Sequence, residues 1–392
     1  MEYKVKQLGL VCALLAALSG CTKVEWVNPE IVAGEAPSSM ALEDVARLLS
    51  EVPLGQEQME EVHAAALSSV ANGYDEEYRM RDLFEAPGTG VGADATKSAV
   101  YARPLKDLLR EALEAREATK GGGHGVSFLD SLSRSDVQIY WPYSETWDGR
   151  SLPVVTFDPG DYALSNVGFA LQADGSVEKV LVDEKMAMER PVWVVNRNAD
   201  ADYQSLEMLR REDPSWGEGG GEIIIRPKAS SSAKDDFKSL ILRSFKAKRH
   251  FDNWFAGASE FFVKLGSVED FTASTEAELR LYQPSITDFM IVVRRGQIGE
   301  EIPFNAVLVS EWTKQLESCA FMLIEDDGGT VTTWKCTALV KYNSKSYGFE
   351  IEIPVNSRDD IVWRGSLSRR YIERYSGTVG HFGDVDLVLE LI

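Results

Sequence analysis

The spacing of apolar residues changes character along the chain. Over Met40–Ser50 and Gln56–Ala71 they recur every three to four positions, with Met59, Val62, Ala66 and Val70 on one face of the second segment. That period predicts two helices, the first stopped near Pro53 and Gly55 and the second ending before Gly73. Pro104 opens a third helix, with Leu105, Leu108, Leu109, Ala112 and Leu113 as its apolar stripe. Proline suits the first turn, where its missing N–H would have no partner. Gly88–Ala95 and Gly121–Gly125 read as breaks between these segments.

From Asp136 the pattern alternates. Val137–Trp141, Pro153–Phe157, Val167–Ala173, Val177–Val182, Val192–Val195 and Glu222–Arg226 predict short strands, interrupted by one helix over Tyr203–Arg211. Asp174-Gly175 predicts a tight hairpin, because both central positions of such a turn need positive φ. Ala229–Asp236 is small and polar and reads as a linker. From Phe237 onward, about seven or eight strands without a long helix predict an antiparallel sandwich. The expected fold class is therefore α+β and multi-domain. A helical region over 38–134 is followed by a small mixed β-rich domain over 135–228, a linker over 229–236 and a β-sandwich over 237–392.

The opening residues follow a different logic. Lys4 and Lys6 precede an unbroken apolar or small-residue run, Leu8–Leu18, which suits a secretory leader and is short for a bilayer span. Leu18-Ser19-Gly20-Cys21 follows directly. This arrangement resembles the lipobox of bacterial lipoproteins of the Gram-negative type. The resemblance implies that residues 1–20 are a signal peptide, that the Cys21 sulfur receives a diacylglyceryl group, and that cleavage makes Cys21 the new N-terminus. Residues 21–37, with Pro29, Gly34 and Pro37, then form a tether. Thr22 lacks the aspartate that marks inner-membrane retention in that family, so the implied address is the outer membrane, facing the periplasm or the cell surface.

The formal charge of −21 at pH 7 repels nucleic acid and anionic lipid, so neither is an expected partner. The basic stretch Lys238, Arg243, Lys246, Lys248, Arg249 and His250 alternates with Leu240, Leu242, Phe245 and Ala247, which reads as the solvated face of a strand. Once Cys12 leaves with the leader and Cys21 takes lipid, only Cys319 and Cys336 remain. A two-residue turn at Asp327-Gly328 would place them opposite each other at a non-hydrogen-bonded site, within reach of a disulfide. The alternative is a pair of free thiols on neighbouring strands.

Candidate chemistry is sparse. His63, His124, His250 and His381 fall in no compact metal spacing, and His63 reads as a packing residue on its helix. The glycine clusters at 88–92 and 217–221 lack the spacing or the following helix that phosphate cradles need. Asn196, Asn198, Asp200 and Glu207 fall at positions 1, 3, 5 and 12 of an EF-hand-like loop, a set of hard oxygen donors suited to calcium. Asn196 in place of the usual Asp, and Ala201 in place of the usual Gly, count against it. The competing reading makes Asp200 or Asp202 a helix cap. Further acids cluster at Glu325-Asp326-Asp327, which reads as a solvated turn or a calcium-binding loop, and at Asp384 and Asp386, spaced as along a strand. Tyr140, Trp141, Tyr143 and Trp147 form the densest aromatic patch, either a stacking surface for a glycan or protein ligand or the closure of the small β domain.

These features lead to an envelope-anchored lipoprotein that binds, scaffolds or displays without catalysis, held to the membrane by the lipid on Cys21. A glycosidase-like hydrolase with an unmarked carboxylate pair is the second reading. A calcium-stabilised adhesion module is the third.

Overall fold

The computed structural model describes residues 41–85, 101–120, 125–160, 163–172, 175–198, 203–212 and 237–392. The lipobox and tether, His124, Asp200, Asp202, the expected strand over 222–226 and the expected linker over 229–236 lie outside the described residues.

Helices α1 (Leu42–Glu51) and α2 (Gln56–Ala71) form where the period predicts them. The chain leaves α1 at Val52, which is extended, as the residue before a proline should be. A short strand β1 (Glu77–Arg79) and helix α3 (Met80–Phe84) follow, then α4 (Leu105–Lys120) and α5 (Gly125–Leu132). Next come β2 (Val137–Tyr140), β3 (Val154–Phe157), β4 (Ser165–Leu171), β5 (Val177–Asp183), α6 (Glu184–Glu189), β6 (Val192–Arg197) and α7 (Leu206–Glu212). The six strands make one sheet in the order β1-β2-β6-β3-β4-β5, antiparallel except for the parallel β3–β6 pair.

Strand alternation gives this sheet two apolar faces. Ile139, Trp141, Val155, Phe169, Trp193 and Val195 point to one side, into a core shared with Val45, Leu48 and Leu49 of α1, Met59 and Val62 of α2, and Leu105, Leu108 and Leu109 of α4. Tyr140, Val154, Ala170, Val182, Val192 and Val194 point to the other side. Buried on both faces, β2, β3 and β6 read as near-continuous apolar runs.

The rest of the chain is β7 (Lys238–Ala247), β8 (Ser259–Ser267), α8 (Glu276–Leu279), β9 (Ser285–Val293), β10 (Ile302–Trp312), β11 (Leu316–Glu325), β12 (Val331–Tyr342), β13 (Lys345–Asn356), β14 (Asp360–Ser368), α9 (Arg369–Tyr375), β15 (Thr378–Phe382) and β16 (Val385–Leu391). Two antiparallel sheets result, β10-β7-β16-β15 and β13-β12-β11-β8-β9, with β14 paired to β11. Leu240, Phe245, Phe261, Leu265, Phe289, Trp312, Phe321 and Leu387 are among the residues of the core these sheets share. The basic stretch is largely β7. Its cations find acids on or beside the adjacent β16: Arg243 meets Glu390 at 2.5 Å, Lys248 meets Asp386 at 2.5 Å and Arg249 meets Asp384 at 2.8 Å.

The expected cysteine hairpin is corrected. Beyond Ser318 the edge of β11 is taken by β14, so Cys319 faces Leu367, while Cys336 faces Ile351 on β13. β12 touches β11 only at Leu316–Val340 and Ser318–Leu339. Both thiols are free. Burial pushes both thiols up, Cys336 to about 11, and keeps them protonated.

The helix cap also differs from both sequence readings. Ser205 caps α7, its Oγ accepting the Met208 N–H at 3.1 Å while donating to the Asn72 carbonyl. Ser205→Ala is expected to destabilise the protein by about 1 kcal/mol, measured by urea denaturation. An unchanged midpoint would remove the cap from the account.

Candidate functional site

The second face of the first sheet is covered by a loop from the sandwich. Between β7 and β8, Asn253 Oδ1 accepts the N–H groups of Phe255 and Ala256 at 2.8 and 3.2 Å, turning the chain so that Trp254 and Phe255 project together. Both rings enter the core with Tyr140, Val154, Val192 and Val194. Trp254 Nε1 donates to the Leu164 carbonyl at 3.2 Å, and Asp75 Oδ2 accepts the Ala258 N–H at 2.8 Å. Gly257 has φ +136 and lies against Asp75, so a side chain there would be both strained and crowded.

Asn196 belongs to this junction. It occupies β6 on the same face as Val192 and Val194, and its Nδ2 donates to the carbonyls of Phe255 and Ala256 at 3.1 and 2.5 Å. Asn198 donates to Glu77 and Gln138 at 2.8 and 2.9 Å. Glu207 lies within α7, where its carboxyl packs against Gly73. Both asparagine amide nitrogens are thus used within the protein, and Asp200 of the expected loop lies outside the described residues.

The aromatic patch is divided by the same alternation. Tyr140 and Trp141 are both buried, on opposite faces of the sheet. Trp141 and Trp147 enclose His63, with ring centroids 5.4 and 5.1 Å from the imidazole, whose Nε2 lies 3.1 Å from the Ser144 carbonyl. Tyr143 donates to Glu184 at 3.0 Å, and Arg295 holds the same carboxylate at 2.7 Å. These four aromatics therefore present no shared stacking surface. They close the first sheet at both faces.

Two groups of acids, each with buried members, lie at the junction. Asp75 and Glu76 are adjacent, only 5 and 3% exposed, with Arg294 3.6 Å from Glu76. Burial and each other's charge push Glu76 up to about 10, and burial raises Asp75. Glu76 therefore keeps a proton near neutral pH, which it shares with Asp75.

The second group is Asp252, Glu325 and Asp327, each offering one carboxylate oxygen within 4.8 Å of the other two. Asp252 comes from the β7–β8 loop, and its backbone carbonyl accepts Arg295 at 3.3 Å. Glu325 closes β11 between Phe261 of β8 and Asp360 of β14. It is fully buried, and neither of its carboxylate oxygens meets a hydrogen-bond donor. What it faces is the Asp252 carboxyl. Asp326 turns away, its Oδ1 accepting Gly328 N–H at 2.9 Å and Asn356 Nδ2 at 3.0 Å. Within the acidic triplet Asp326 serves the turn, Glu325 faces inward and Asp327 lies exposed at the cluster's edge. Burial, with the neighbouring carboxylates, raises Asp252 to about 6 and Glu325 to about 12.

No protein-family model matches the chain, and no curated protein or solved structure matches it either.

The sequence singled out Glu325 and Asp327 but gave no sign of Asp252, which only the folding of the β7–β8 loop brings to them. His250, in the same loop, is pushed down to about 4 by burial and by the Arg295 charge, and so remains neutral. His381 is hydrogen-bonded to Asp386 at 2.6 Å on the β15–β16 hairpin, beside Lys248.

Proposed function

We propose that the chain is an envelope lipoprotein, anchored through lipid on Cys21 and acting through binding and not through catalysis. The observation that carries this reading is the succession of Lys4 and Lys6, the apolar run Leu8–Leu18 and Leu18-Ser19-Gly20-Cys21. Two acyl chains, at about 0.8 kcal/mol per buried methylene, hold a folded body at a membrane without a spanning helix. None of the helices among the described residues is long and apolar enough to cross a membrane, which is compatible with such an anchor. Thr22 favours the outer membrane as the address.

The hydrolase reading has one observation on its side. Asp252 and Glu325 face each other with raised proton affinities, as a carboxylate pair in a glycosidase can. Against it, a sugar would have to reach Glu325, which is 0% exposed.

Labelling growing cells with radioactive palmitate tests the anchor. The wild-type chain is expected to carry label and to sediment with membranes, while Cys21→Ser loses both. An unlabelled wild-type chain would overturn the reading.

A further inference from the structure

We propose that Asp252, Glu325 and Asp327 form a Ca²⁺ site that fastens the β7–β8 loop to the end of β11. The acids alone would not make the case, since acidic clusters are common on surfaces. Glu325 makes it. A fully buried carboxylate loses its hydration, and here neither oxygen regains a donor from the protein. The group is aimed at two further carboxylates, so a proton shared with Asp252 or a cation must stand between them, and the exposed side at Asp327 gives the cation its entry.

Size and chemistry favour calcium. Three carboxylates are hard oxygen donors, and ligands on opposite sides of Ca²⁺ lie about 4.6–5.2 Å apart, twice its usual ligand distance. The observed limit of 4.8 Å lies within that span. Asp327 is exposed and Asp252 half-buried, which leaves an approach for the ion and for the waters that complete its shell. The surroundings are acid-rich: Asp158 and Asp360 add to the negative field, and Arg295 is the cation facing it.

The position explains what the ion would do. The loop carrying Asp252 also carries Trp254 and Phe255, whose rings cover the first sheet. Glu325 and Asp327 belong to the sandwich. An ion held by both would lock the loop in the conformation that joins the two sheet systems. The site is separate from the lipid anchor and stands or falls without it. It is also separate from the Asn196–Glu207 loop.

Isothermal titration calorimetry of the chelator-treated full chain in detergent, with CaCl₂ as titrant, tests the proposal. One site is expected in the wild type. Asp327→Asn, a change at an exposed side chain that leaves the core untouched, is expected to weaken it at least tenfold, and Glu325→Gln to abolish it. Glu207→Ala is expected to bind as wild type does. Circular dichroism establishes that each variant is folded. The proposal is overturned if the wild type takes up no calcium, or if Asp327→Asn and Glu325→Gln bind like the wild type. Loss of binding only in Glu207→Ala would also overturn it, as would a wild-type response to MgCl₂ alone.

Discussion

Replacing Phe255 with alanine is expected to lower the stability of the protein by about 3–5 kcal/mol, the usual loss for an aromatic ring removed from a packed core. Phe255 is fully buried, stacked on Trp254 with ring centroids 3.9 Å apart, and surrounded by valines of the first sheet. A second effect should accompany the loss. The helix-covered face of the first sheet and the interior of the sandwich are separate cores, each with its own large buried side chains. The ring of Phe255 lies in the smaller core that links them. Scanning calorimetry of Phe255→Ala should therefore show the melting endotherm broaden or divide. Phe271→Ala, a comparable truncation inside the sandwich core, should lower the transition without dividing it. A loss below about 1 kcal/mol would mean that the loop is a peripheral cover.

The second large effect concerns pH. Glu76 and Asp75 have folded-state proton affinities above those of unfolded carboxyls, which titrate near pH 4. Between that pH and about 10, where folded Glu76 titrates, the folded protein holds more protons than the unfolded chain. Stability from this pair is therefore greatest at low pH and is lost as pH rises through that window. Asp75, Glu145 and Arg294 are the charged groups acting on Glu76, and Arg294 only partly offsets the burial of the acid. Glu76→Gln keeps the shape and removes the titration. It is expected to melt above the wild type at pH 8 and close to it at pH 5. Each kcal/mol of relief corresponds to about 2–4 °C in domains of 150–250 residues. A variant that melts lower at pH 8 would show that Glu76 is ionised and stabilised by Arg294.

How much of this was legible before folding can be traced through particular residues. Helices α1, α2 and α4 were legible because their apolar stripes are regular and bounded by Pro53, Gly55, Gly73 and Pro104. Strands β2 to β6 were legible because β-branched runs lie between turn residues. The strand partners were not. Asp327-Gly328 reads as a tight turn, yet the two-residue turn belongs to Asn343-Ser344, both at positive φ, joining β12 to β13. Local sequence cannot decide which turn is used, because the insertion of β14 beside β11 is a long-range event. Asn196 shows the same limit. Its spacing from Glu207 suits a metal loop, but its place at the end of an alternating strand sends its amide into the junction. The cluster of Asp252, Glu325 and Asp327 required both the spacing around Asp326 and the arrival of Asp252 from another loop, and only the first is written locally. The lipobox is the opposite case: all its information is in consecutive residues.

The measurement that bears most directly on the central claim is the mass of the N-terminal peptide from protein isolated from membranes. The account predicts a peptide that begins at Cys21 and carries a diacylglyceryl group with its acyl chains. A peptide retaining residues 1–20, or one containing Cys21 with a free thiol, would contradict it.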